Sequence, residues 1–481
     1  MSAEIHGQLS DRARAALGDE FLRGAVRFTV DRLRAGKAHG TAALGDWEAW
    51  RDSAQEIRRH TIAHLDGYLA EFTRNASASG ASVHFAADAE EARHLALAIT
   101  RKSEAQLVVK SKSMVSEEVA LNDHFEAAGI KVVETDLGEW IVQLAHETPS
   151  HLILPAIHKQ RRQIQELFEQ EGSEKLAPET SVLAAFARRR LREAFLEADV
   201  GITGCNFAIA ETGSVALFTN EGNGRMVTTL PRVHIVLMGM ERIVPTWEAL
   251  EVMANVLPRS ATGQKLTTYL NVLTGPRRPG EADGATEMHI IILDNGRAAL
   301  LGDPHFQDVL NCIRCGACLN VCPVYRQIGG HAYGAVYSGP IGAVLTPLLY
   351  SSPQAAELAN ASSLCGACFE ACPVKIPLHD MLIELRRRNV ERGLTPVTER
   401  LGMKFFARVA TSSVLWGMAR RLTRLLQRIA HTPRRRRWLA RLLPPLRPWL
   451  QHRALPVLKP APAPPLNAGS SVKQPWGSDH V

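Results

Sequence analysis

The chain reads as an α/β open-sheet domain followed by an all-helical, cysteine-rich domain and a basic helical and then disordered tail. Three observations predict this. Short β-rich runs alternate with helical patterns between about residues 76 and 300, the order that builds a largely parallel sheet with helices on both faces. Seven of the eight cysteines crowd between Cys312 and Cys372. Between Leu401 and Ser478 there are fifteen Lys or Arg and no Asp or Glu, so the net charge of +7 leaves about −8 for the remainder and separates an acidic body from a basic tail.

Four regions follow. Residues 1–75 are helical in pattern, with Trp47, Trp50, Ile57, Ile62 and Leu65 among charged positions, and predict an N-terminal helical arm. Within 76–300, strands are predicted at 82–85, 106–109, 130–133 and 151–154, with helices at 87–100 and 115–128 between them. Further strands at 201–203, 207–210, 215–218, 234–238 and 289–293 predict a second half or an antiparallel extension. Residues 301–395 carry the cysteines, and a helix is predicted at 354–361. In 396–481, Leu422, Leu425, Leu426 and Ile429 recur at helical spacing opposite Arg420, Arg421, Arg424 and Arg428, a greasy face against a basic one. The prolines at 460–465 predict an extended linker.

The cysteines carry the strongest chemistry. Cys312, Cys315, Cys318 and Cys322 precede Pro323, and Cys365, Cys368 and Cys372 precede Pro373. The C-x2-C-x2-C-x3-C-P run wraps three thiolates round an iron–sulfur cube and sends the fourth to a neighbouring cluster. Zinc, the competing use, takes two ligands from each of two separated knuckles. The crossed pattern assigns Cys312, Cys315, Cys318 and Cys372 to one cluster and Cys322, Cys365 and Cys368 to a second. The second is one thiolate short, with Ser362 where a cysteine would complete it, and serine is a poorer ligand for soft metal than thiolate. A three-iron cluster, a four-iron cluster with one non-cysteine or exchangeable ligand, and recruitment of Cys205 remain open; two [4Fe–4S] clusters are favoured. The 43 residues from Cys322 to Cys365 suit an all-helical two-cluster ferredoxin-like domain better than a small hairpin ferredoxin.

Other candidates are weaker. Lys110-Ser111-Lys112-Ser113 lies between a predicted strand and helix, where amides and lysine can hold an anion or merely start a capped helix. Glu211, Ser214, Asn223 and Arg225 sit in polar, glycine-rich loops that offer groups for a carboxylate ligand, or simply make hairpin turns. Cys205 reads as a small buried apolar residue. His146, His151, His158 and His234 show no ligand spacing. No G-x-G-x-x-G follows a strand, so a dinucleotide acceptor is not expected. The clusters accept single electrons, and the chain looks more like a relay than a complete catalyst.

The N-terminus has no basic segment followed by an apolar one, and no stretch reaches about 18 uninterrupted apolar residues. A cytoplasmic location is expected, with membrane association through the tail as one use of its arginines. Docking on an acidic partner is a second use. A third is nucleic acid, through runs such as Arg434 to Arg437, which would make the chain an iron–sulfur redox sensor; no nucleic-acid module accompanies the charge, so this is the weaker reading.

The segment Gly201-Ile202-Thr203-Gly204-Cys205-Asn206-Phe207-Ala208-Ile209-Ala210-Glu211-Thr212-Gly213-Ser214, the segment Val109-Lys110-Ser111-Lys112-Ser113-Met114 and the seven-cysteine pattern together resemble the lactate utilisation protein B family over essentially the whole chain. The resemblance implies an α/β domain of the lactate-utilisation type, similar to ribose-phosphate isomerase and CoA-transferase folds, ahead of the helical two-cluster domain. It also implies a part in oxidising L-lactate to pyruvate, alongside a cysteine-rich oxidoreductase partner and a second protein with the same α/β domain. The absence of a cysteine at Ser362 matches that family.

Overall fold

The computed structural model describes residues 5–350, 352–429 and 441. Two compact units divide at Leu394. In the first, six strands form one parallel sheet: β1 (Ser82–Ala86), β2 (Leu107–Lys110), β3 (Lys131–Glu134), β4 (Val200–Thr203), β7 (Val233–Gly239) and β10 (Glu287–Leu293), in the spatial order β1-β10-β7-β4-β2-β3. Both faces are covered, and alternate residues show it. Val108, Ile235, Leu237, Ile291 and Leu293 pack with the helices Ala89–Lys102 and Leu121–Ala127. On the other face Val109 joins Trp140, Phe168 and Phe186, while Val236, Met238, Ile290 and Ile292 join the larger core. Burial on both sides explains why Ile290-Ile291-Ile292-Leu293 reads as a continuous apolar run.

The antiparallel extension exists as a second, mixed sheet. Strands β5 (Phe207–Ile209), β6 (Ser214–Thr219), β8 (Ile243–Val244) and β9 (Tyr269–Leu273) run in the order β8-β5-β6-β9, with β8 parallel to β5 and the other pairs antiparallel. The two-residue β8 is too short to read from sequence, and the half-exposed β9 has no clean alternation.

Two predicted elements fail. Residues 151–154 form bends and irregular backbone, not a strand, because the His151 Nδ1 accepts from the Ile153 and Leu154 amides at 3.0 and 3.3 Å, and a side chain that captures local amides competes with a sheet ladder. The helix predicted over 115–128 is broken into Met114–Glu118 and Leu121–Ala127 by Ala120 in the left-handed region. The Glu118 and Val119 carbonyls instead accept from Tyr350 and Arg93 at 3.1 and 3.0 Å.

The helices Leu9–Gly18, Glu20–Ala42, Trp47–Ala63 and Leu65–Ala78 share the larger core with the second sheet and the cysteine module. Arg58 shows how tightly they are joined. Fully buried, it donates to the carbonyls of Ile243, Leu310 and Asn311 at 2.7, 3.0 and 3.3 Å and to that of Glu241, pinning the β7–β8 turn to the residues just before Cys312. The cysteine module itself is short helices, including Ala317–Val321, Gly339–Leu349, Pro353–Glu357, Ala367–Ala371 and Leu378–Glu391.

The second unit contains the helices Val397–Thr411 and Ser413–Ile429. Its apolar side chains Phe405, Phe406, Trp416, Leu422 and Leu425 are exposed. The proline linker at 460–465 and the run Arg434 to Arg437 lie outside the described residues.

Candidate iron–sulfur site

Both cysteine runs adopt one local geometry. In the first, Arg314 and Gly316 take φ of 59° and 72° either side of Cys315, the helix Ala317–Val321 follows, and Cys322 ends it at φ −73°, ψ 120°. In the second, Leu364 and Gly366 take 55° and 78° either side of Cys365, the helix Ala367–Ala371 follows, and Cys372 ends it at φ −74°, ψ 121°. Positive φ at alternate residues curls the loop, and glycine accepts it at least cost.

The sulfurs fall into two sets by the charges they feel. Cys315 is influenced by Cys372 and Cys312, Cys318 by Cys312, Cys315 and Cys372, and Cys372 by Cys312. Separately, Cys322 is influenced by Cys365, and Cys368 by Cys322 and Cys365. Cys318 and Cys368 link the sets. Burial pushes the Cys315 thiol up to about 12 and Cys368 up to about 11, so these sulfurs become thiolates only with a cationic partner. Cys365 is exposed, and amide and Ser363 hydrogen bonds lower its pKa.

The setting of the first set is cationic. Arg242 donates to the Cys312 carbonyl at 3.3 Å, the Arg314 amide reaches the Cys312 sulfur at 3.4 Å, and Arg51 donates to the Cys372 carbonyl at 3.0 Å. Arg58, Arg242 and Arg314 all feel Cys312, and Lys37 feels Cys315 and Cys372. The buried acids nearby are committed. Arg297 meets both Glu118 oxygens at 2.9 Å and Glu241 Oε2 at 2.7 Å, and Tyr337 donates to Glu118 at 2.6 Å. Although burial opposes their charge, Arg297 holds Glu118 low, and Arg297, Arg242 and Arg314 carry Glu241 down to about 2. Positive charge is still left over: burial and neighbouring Arg242 lower Arg58 to about 10, and Arg242 Nε with Arg314 Nε and Nη1 have no hydrogen-bond partner. Buried arginines that outnumber the acids they pair with, and keep unsatisfied N–H groups beside a set of four thiols, fit an anionic thiolate-ligated cluster, whose negative charge would balance them.

Among the described residues, Glu147, His158 and His331 bring three possible metal-ligand atoms within 4.8 Å of one another, away from the cysteine runs in sequence.

The first cysteine loop lies at the carboxyl edge of the parallel sheet, where open α/β folds place ligands. Glu241 and Arg242 follow β7, Arg297 follows β10, and Cys205 follows β4. Cys205 is influenced by Arg242 and Glu241, and burial pushes it up to about 12. Lys110 at the end of β2 is fully engaged by Glu117 and Glu134, each at 2.7 Å, which raise its ammonium against the cost of burial. Lys112 is 4.0 Å from Glu139 Oε1, and neither atom has a hydrogen-bond partner; burial raises Glu139 to about 8. Asn223 reaches the Thr135 hydroxyl at 3.4 Å on the same edge.

The remaining pocket candidates go elsewhere. Glu211 accepts from the Trp247 amide and so caps the helix Trp247–Ala261, Ser214 bonds Thr212 and Thr274 beside the second sheet, and Arg225 is exposed. Glu211 thus serves a helix start, Ser214 opens β6 within a chain of hydroxyls, and Arg225 lies on the helix Asn223–Thr229. Of the histidines, His146 is exposed and His234 is buried against Thr203 at 2.9 Å. His151, with Nδ1 accepting, donates through Nε2 to Asn320 at 3.1 Å, between Cys318 and Cys322, and burial lowers it to about 4. His158 pairs with Glu147 at 2.6 Å. Sequence reasoning missed the Glu118–Arg297–Glu241–Arg314 network because its members come from segments up to 196 residues apart, with no local pattern to mark them.

Comparison with known proteins agrees with this architecture. Residues 69–293 match the LUD domain model, and residues 308–376 match the 4Fe-4S dicluster domain model. A DUF162 family protein from Deinococcus radiodurans, covering 48% of this chain and 98% of its own at 17% identity, superposes with a TM-score of 0.27, too low to bear on the fold. Lactate utilization protein B of Macrococcus caseolyticus is 54% identical over 419 residues, 86% of this chain and 88% of that one. Its counterparts in Bacillus licheniformis and Bacillus subtilis are 52% and 51% identical, covering 85% of this chain and 86% and 85% of theirs. With an α/β LUD domain, a helical dicluster domain and this degree of identity across most of its length, the chain belongs to the lactate utilization protein B family.

Proposed function

We propose that the protein is the iron–sulfur electron-transfer subunit of a multi-protein system that oxidises L-lactate to pyruvate. The observation that carries this is the pair of sulfur sets, one largely buried among arginines that outnumber the acids and the other reaching the surface at Cys365. Cys312, Cys315, Cys318 and Cys372 would hold one cluster and Cys322, Cys365 and Cys368 the second; such clusters supply one-electron carriers. The protein's own part is to exclude water from the first set, balance its charge with Arg58, Arg242, Arg314 and Lys37, and leave the second open to a partner. Lactate gives up two electrons, so splitting that pair falls to a cysteine-rich oxidoreductase partner and a second LUD-domain protein.

No helix among the described residues is long and apolar enough to cross a membrane; the basic helix Ser413–Ile429 suits docking on an acidic partner or an anionic membrane surface. The test is anaerobic mixing of the cluster-loaded chain with its co-expressed partners and L-lactate, followed by absorbance. Bleaching that requires both lactate and the partners is expected. Clusters that dithionite reduces but lactate with partners does not would refute the substrate assignment.

A further inference from the structure

Ser362 stands where Cys312 stands. Each lies three residues before a cysteine held between two positive-φ residues, Ser362 before Cys365 and Cys312 before Cys315. The amide two residues on turns back to the side chain in both, Arg314 to the Cys312 sulfur at 3.4 Å and Leu364 to the Ser362 hydroxyl at 3.1 Å. Each carbonyl also receives an arginine, Arg242 on Cys312 at 3.3 Å and Arg386 on Ser362 at 3.0 Å. The same turn thus points Cys312 and Ser362 alike, and Arg386, anchored as well on the Ala359 carbonyl at 2.9 Å, keeps the Ser362 turn in place.

Resting on the two-cluster reading above, we propose that the Ser362 oxygen is the fourth protein ligand of the second cluster and holds one iron less firmly than the three thiolates hold theirs. As it binds, the hydroxyl proton passes to solvent, to which this half-exposed side chain has access. Oxygen is a harder donor than thiolate and a poorer match for cluster iron. Its bond to carbon is also shorter, so it reaches less far from the same backbone. The corresponding corner of the first cluster is a thiolate, so the two clusters differ in durability although their loops match.

The experiment uses the full chain, loaded anaerobically, as wild type, Ser362→Ala and Ser362→Cys, with iron and sulfide counts, Mössbauer spectra and EPR during mild ferricyanide oxidation. Wild type is expected to release one iron per chain and develop the signal of a three-iron cluster. Ser362→Ala should hold one iron fewer from the start. Ser362→Cys should release iron at least about tenfold more slowly, since changes even one shell further out alter metal affinity by this much. Identical spectra and release rates in all three proteins would overturn the assignment of Ser362. A wild-type iron content of a single cluster, a shortfall of a whole cube rather than one iron, would instead remove the two-cluster reading on which it rests.

Discussion

Arg297 is the keystone of the charge network beneath the first cysteine loop, and replacing it with methionine gives a quantitative test. The side chain is 1% exposed and makes charge-assisted bonds to Glu118 at 2.9 Å and Glu241 at 2.7 Å. Methionine fills much of the volume but takes the closest cation from two buried carboxylates, and breaking a buried pair from one side costs about 3–5 kcal/mol. A cooperative unit of about 390 residues has an unfolding entropy of roughly 0.8 kcal/mol/K at the midpoint, so the melting temperature should fall by about 4–6 °C.

The pH dependence supplies a second reading. Glu241 is held at about 2 when folded against an ordinary value of 4.5, so it contributes on the order of 3 kcal/mol that is present above the unfolded value and is lost as pH falls from about 4.5 towards 2. Without Arg297 the folded value rises towards the unfolded one, and this acid-sensitive contribution shrinks. Scanning calorimetry of anaerobic wild type, Arg297→Met and Glu241→Gln proteins at pH 7 and at pH 3.5, inside the window between 4.5 and 2, would measure the effect. An Arg297→Met protein melting within about 1 °C of wild type at pH 7 would show that the network does not carry the load assigned to it.

Four further outcomes are expected. Arg242→Gln removes a cation beside Cys312, and a unit charge about 10 Å away at an effective permittivity near 20 is worth roughly 1.7 kcal/mol, so the first cluster's potential should fall by up to about 70 mV in a spectroelectrochemical titration; an unchanged potential refutes the charge-balance role. Glu139 is raised to about 8 when folded, so its ionisation penalises the fold increasingly from about pH 4.5 up to pH 8; Glu139→Gln should therefore melt higher than wild type at pH 9 and alike at pH 4.5, and the opposite order would sink the reading. A Cβ at Gly201 would lie 2.1 Å from the Val227 carbonyl oxygen, so Gly201→Ala should force β4 from the helix Asn223–Thr229 and lose more than about 2 kcal/mol in denaturant titration. Cys205→Ala should retain the wild-type iron and sulfide content, and loss of a cluster would make Cys205 a ligand.

Spacing alone pointed to iron–sulfur chemistry over zinc, because a loop that wraps a cube in this way leaves two, two and three residues between its cysteines. The parallel sheet was legible for a similar reason. Strands buried on both faces leave apolar runs such as 290–293, and helices between them leave a different period. The misread segments were those where a side chain overrode the pattern. Leu152 and Ile153 look strand-like, but the His151 ring takes the amides a ladder needs, and the helix through Ala120 breaks because Tyr350 and Arg93 claim its carbonyls from outside.

The pocket candidates divide along the same line. Lys112 and Asn223 lie along the carboxyl edge of the sheet beside Glu139 and Thr135, while Glu211 and Ser214, equally plausible as polar loop residues, serve a helix cap and a hydroxyl chain. Local chemistry is written in short spacings, so the ligand cysteines and the strands could be read directly. Which charges face those cysteines depended on bringing distant segments into contact, because electrostatics acts through space and not along the chain.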